Sequence, residues 1–147
     1  MIGTMKKILS ILIILLVTNL AFAIEYKDYF VINGQKILLE EAVTDQQKNQ
    51  GLMNRDFLKA NTGMVFSYTS YVDTAFWMKN TKIPLDIIFL KDGKVVRLYE
   101  KALPCTTEIC KIYPSKGLIN QVIELNAGTC KLYKIRKDSI IRVKELE

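Results

Sequence analysis

Eight short runs rich in branched and aromatic residues, at 29–32, 36–42, 64–68, 75–79, 85–90, 95–100, 118–125 and 139–143, constrain this chain more than any other feature. Each has the length and composition of a strand. Asn33-Gly34 and Asp92-Gly93 fall between pairs of them, where both residues of a two-residue hairpin turn must take positive φ. Two short helices interrupt the pattern: Thr44 is an N-cap candidate for 45–53, and 128–133 has room for one or two turns. Neither can organise a helical core. The predicted fold is therefore mainly β, a small β-sandwich or barrel-like domain with one or two short helices.

The first 23 residues follow a different rule. Lys6 and Lys7 precede an apolar run at 8–17, and Ala21-Phe22-Ala23 has the small-x-small pattern of a cleavage site. The stretch 8–23 is shorter than the roughly 20 residues a spanning helix needs, so it predicts a cleaved export signal and no stable membrane insertion afterwards. Residues 24–147 then form a single domain, periplasmic or secreted. They keep 19 of the 21 Lys and Arg against 15 Asp and Glu. That excess is spread without an Arg-rich run, which argues against nucleic-acid binding.

There is no His. Ser-His-Asp triads, Cys-His pairs and His-ligated metal sites are thereby excluded as self-contained sites. Three cysteines remain. In an oxidising compartment Cys105 and Cys110, the nearest pair, are expected to form a disulfide within the long loop at 103–117, leaving Cys130 as a buried thiol. Bridges from either to Cys130 stay open alternatives.

The candidate site centres on Ala75-Phe76-Trp77-Met78-Lys79-Asn80-Thr81 and Pro84-Leu85-Asp86-Ile87-Ile88-Phe89. Strand alternation puts Phe76 and Met78 on one face and Trp77 and Lys79 on the other; Asp86 shares its face with Ile88 and Leu90. A carboxylate placed among apolar side chains must find donors or a cation. Either Asp86 satisfies backbone amides or pairs with Lys79 or Arg55 to fix the turn, or it faces a ligand. The second reading groups Arg55, Trp77, Lys79, Asn80 and Asp86 into a ligand-binding cleft.

Several motifs share one order and spacing with a known family. Gly51-Leu52-Met53-Asn54-Arg55, Gly63-Met64-Val65-Phe66, the two segments above, Asp92-Gly93 with Val95-Val96, and Glu124-Leu125 before Ala127-Gly128 resemble the family catalogued as domain of unknown function 192. The resemblance spans 30–143. It implies a compact, mostly β domain of bacterial and archaeal proteins, often behind an export signal, with no established activity and no catalytic residue or cofactor to carry over. One departure is Lys137-Asp138, where such sequences commonly have Gly-Asp.

The functional expectation is a non-enzymatic binding or interaction module for a small molecule or protein outside the cytoplasm. Two alternatives come from other classes. One is a small hydrolase dependent on a carboxylate or Lys, using Asp86 with Lys79; the other is a Cu(I) binder built from Met53, Met64 and Met78 beside Trp77. No catalytic residue, metal ligand or cofactor is assigned.

Overall fold

The computed structural model describes residues 24–147; the predicted export signal at 1–23 lies outside the described residues. The elements in chain order are β1 (Asp28–Ile32), β2 (Gln35–Ala42), α1 (Asp45–Gln50), β3 (Thr62–Val72), β4 (Ala75–Trp77), β5 (Leu85–Lys91), β6 (Lys94–Ala102), β7 (Ile112–Pro114), β8 (Ile119–Asn126), α2 (Thr129–Leu132) and β9 (Lys144–Glu145). The fold is mainly β, and its sheets do not close into a barrel. Seven strands form one sheet in the order β6-β5-β8-β3-β2-β1-β9, and β4 and β7 form a separate ribbon.

Local chemistry explains the hairpins. Asn33 and Gly34 have φ of 48° and 77°, and Asp92 and Gly93 have 52° and 76°, as a two-residue turn between twisted strands requires. The β2–β3 pair is parallel, so the chain must cross over between them, and α1 begins that crossover. Its start is a capping box: the Gln47 amide donates to Thr44 Oγ1 at 3.1 Å, while the Thr44 amide donates to Gln47 Oε1 at 2.9 Å.

The large sheet buries both faces. Met64, Phe66, Ile87, Phe89, Ile119 and Val122 belong to one apolar cluster, covered by Leu52, Leu58, Phe76, Met78 and Tyr113. Val65, Ile88, Leu90, Ile123 and Leu125 belong to the other, covered by Cys130, Ile135 and Ile141. On the first face edge-to-face rings run from Phe66 through Phe76, Phe89 and Tyr99 to Tyr113, with centroids 4.9, 5.8, 6.0 and 5.3 Å apart. Such pairs add about 0.5–1.5 kcal/mol each beyond area burial, so this series fastens the β4–β7 ribbon to the sheet.

Two expectations need correcting. The run at 139–143 is not a strand: Ile140 makes an isolated bridge to Lys94, and pairing with β1 begins only at Lys144. Strand β7 was missed, because Ile112 to Pro114 is too short to read as a strand without its partner β4. At the departure from Gly-Asp, Asp138 itself takes the positive φ of 71° and its carboxylate pairs with Lys94 at 2.9 Å. Among the described residues no helix is long and apolar enough to cross a membrane.

Candidate functional site

Pairing across the sheet sets one row of side chains on the first face. Glu40 on β2 lies opposite Met64 on β3, Met64 opposite Glu124 on β8, and Glu124 opposite Ile87 on β5. Close approach of β3 and β8 depends on Gly63, where a Cβ would lie 2.4 Å from the Glu124 carbonyl oxygen. Glu124 is thus held at mid-sheet, only 5% exposed, where a solvated carboxylate is not expected.

Above this row the chain leaves α1 through Gly51, whose φ of 47° and ψ of −129° is a combination that L side chains rarely adopt. Leu52 turns into the core, and a cavity of about 230 Å³ opens between the end of α1, β3 and β4. Phe66, Tyr68, Phe76 and Trp77 wall it, Lys48 and Thr81 contribute polar groups, and Glu124 lines it from the sheet.

Among the described residues no hydrogen bond reaches the Glu124 carboxyl. Burial pushes its pKa up to about 8, against the opposing pull of the Arg55 guanidinium. Arg55 itself forms a fork with Glu40, with contacts of 2.5 and 2.6 Å, and this bonding raises its pKa despite partial burial. Tyr68 is also raised, chiefly by burial and further by the nearby Glu124. The Lys48 ammonium sits 4.8 Å from the Tyr68 ring centroid. A carboxyl in this setting can donate a hydrogen bond while protonated, or ionise when a cation arrives.

The five residues grouped from sequence do not meet in one cleft. Trp77 does line the cavity and is 52% exposed at its rim. Arg55 stands near Glu124 but is tied to Glu40. Lys79 turns toward the disulfide loop, donating from Nζ to the Thr107 carbonyl at 2.9 Å. Asn80 takes φ of 54° in a turn clamped on both sides: its amide donates to the Cys105 carbonyl, and its carbonyl accepts from the Asn54 amide.

Asp86 lies on the opposite sheet face, fully buried, and accepts three backbone N–H groups: Lys101 at 2.9 Å, Gly128 at 3.0 Å and Cys130 at 2.8 Å. The register shift between β5 and β6 places two residues, Glu100 and Lys101, opposite Asp86, and the freed Lys101 amide is one of its donors. The other two belong to the start of α2. Asp86 therefore takes the scaffold reading, with backbone amides in place of the alternative partners Lys79 and Arg55.

Cys105 and Cys110 are joined by a disulfide, and Cys130 is a buried free thiol whose pKa burial pushes up, with Asp86 adding to the effect. Met64 and Met78 are buried in the first core cluster, and Met53 lines the cavity. Sequence reading missed Glu124 as a site residue. The available signal was the one that singled out Asp86, an acid within an apolar strand.

The first related structure is a crystal structure from Sinorhizobium meliloti 1021 of a protein described as a "putative transcription regulator". It is 31% identical with a TM-score of 0.70, over 82% of this chain and 92% of that one. A protein of unknown function from Novosphingobium aromaticivorans DSM 12444 is 29% identical with a TM-score of 0.68, over 80% of this chain and 83% of that one. No curated protein matches the chain. The model of the DUF192 family, described as an uncharacterized ACR family, matches residues 29–143, and this chain belongs to that family.

Proposed function

We propose that this protein is a non-enzymatic binding module, periplasmic or secreted, that seats a small molecule in the cavity between α1 and β4. The observation that carries the reading is Glu124: a residue only 5% exposed whose carboxyl opens into a cavity with aromatic walls and receives no hydrogen bond from the described residues. Facing the cavity without a donor from the protein, the carboxyl is placed to pair with a guest rather than with the fold. Stability is given up where an apolar Leu or Met would pack.

Proton transfer is less well served. The other carboxylate of the row, Glu40, is committed to Arg55, so among the described residues no free second acid lines the cavity with Glu124. Export is supported by the composition of residues 1–23, and the Cys105–Cys110 disulfide is compatible with an oxidising compartment. The expected partner is a small molecule, or a protein, met outside the cytoplasm, without nucleic acid and without stable membrane insertion after cleavage.

A thermal-shift screen of compact metabolites tests the reading, since a ligand preferring the folded state raises apparent stability. At least one compound is expected to raise the melting temperature of the wild-type protein and not of Glu124→Gln. A broad library without any shift would overturn the binding reading. Intact mass of the exported form should lack residues 1–23; a full-length product embedded in membrane would overturn the localisation.

A further inference from the structure

We infer that the ligand seated at Glu124 is a compact organic ammonium ion; this deepens the reading of the cavity as a binding site and rests on it. Three observations favour a cation carrying N–H groups. First, the two acids buried in this sheet are treated differently. Asp86 receives three backbone N–H donors, whereas no described residue donates to Glu124, whose oxygens face the cavity instead. An ammonium supplies both donors and charge.

Second, the walls suit such an ion. Phe66, Tyr68, Phe76 and Trp77 line the same cavity, and aromatic faces attract cations carrying apolar substituents. The Lys48 ammonium already lies over Tyr68 and takes that ring, which leaves Phe66, Phe76 and Trp77 for the guest. A hard metal ion would need several oxygen ligands, and no group of three acidic, His or Cys side chains able to hold a metal occurs among the described residues.

Third, the other ligand chemistries fit less well. An anion would suit the Lys48 ammonium, but it could pair with Glu124 only while that carboxyl keeps its proton. A polyol could draw on Asn49, Gln50 and Thr74 of the lining, yet it would leave the charge of an ionised Glu124 unanswered. The cavity, about 230 Å³ and open to solvent, has room for a compact ammonium head.

Proton balance gives the inference its own signature. Below pH 8 the protonated Glu124 must give up its proton as the ammonium arrives, so the ion pair forms and one proton leaves to solvent. Titration calorimetry with propylammonium chloride at pH 7, in phosphate and in Tris, reads that proton from the difference in heat, and Trp77 fluorescence reports occupancy. Acetate and glucose serve as anionic and neutral probes.

Propylammonium is expected to bind with release of close to one proton per ligand. Glu124→Gln should weaken binding about tenfold or more and abolish the release. Phe76→Leu, which keeps the carboxyl, should weaken it about threefold. Glu124-dependent binding of glucose or acetate without propylammonium binding would overturn the ammonium class and leave the cavity reading standing. Binding of propylammonium without proton release, or unchanged in Glu124→Gln, would also overturn it. Failure of all three probes overturns the ammonium inference, while the broad library separately decides the binding reading.

Discussion

Glu124 and Asp86 lie on adjacent strands, one residue apart in register, with their carboxyls on opposite faces of the same sheet. One is saturated with backbone donors and the other has none among the described residues. Burial alone therefore does not distinguish a scaffold acid from a site acid here; hydrogen-bond satisfaction does.

The Glu124 pKa of about 8 predicts a pH dependence of stability. The unfolded group ionises near 4.5, so between that value and about 8 the folded state binds more protons, and stability falls as pH rises. The charged and titratable groups facing it are Arg55 with its partner Glu40, Lys48 from α1 and Tyr68 from β3. Glu124→Gln should match wild type near pH 4.5 and be more stable at pH 8 by on the order of 3 kcal/mol. Urea unfolding across this range checks it; a wild-type slope retained in the variant would count against it.

Asp86→Asn should behave oppositely. An amide retains one good acceptor and presents its NH₂ to amides that are themselves donors, so a loss of about 2–4 kcal/mol is expected across neutral pH. Ligand affinity of the folded fraction should stay unchanged. Denaturant midpoints and calorimetry on the same sample separate the two effects.

Gly63→Ala tests the close approach that carries Glu124. Its Cβ would meet backbone at 2.4 Å, and neither β3 nor β8, paired on both edges, can easily move away. Destabilisation of about 2–3 kcal/mol is expected, with weaker ligand binding as Glu124 shifts. Chemical denaturation and titration calorimetry report the two consequences.

Thiol labelling tests the cysteine assignment. Without reductant the native protein should take up no alkylating agent, because Cys130 is buried and its thiol is held protonated. Denaturation should expose a single reactive thiol. Replacing both Cys105 and Cys110 by Ser should cost about 2 kcal/mol, as expected for so short a closed loop.

Much of the architecture was legible because it is locally encoded. The two hairpin dipeptides, the Thr44 cap and the alternation of β5 depend on neighbours in sequence, and the structure follows them. The order of strands was not legible, since each pairing depends on partners far along the chain. The same division explains the candidate site. The Asp86 face followed from alternation, but its donors come from residues 15 to 44 positions away. Glu124 sits in a run, Val122 to Leu125, that is buried on both faces, so only the pairing of β8 with β3 and β5 shows what its carboxyl faces.

The central place of β8 also fixes when this protein can fold. Strands β3 and β5 meet only through it, so the hairpins on either side remain separate pieces until residues 119–126 are available. A chain still emerging from a ribosome or a translocation channel has no continuous sheet to form until then. Assembly governed by such distant pairings runs in milliseconds to seconds, an interval in which the chain remains open enough to be threaded and its apolar strands remain exposed to whatever escorts it.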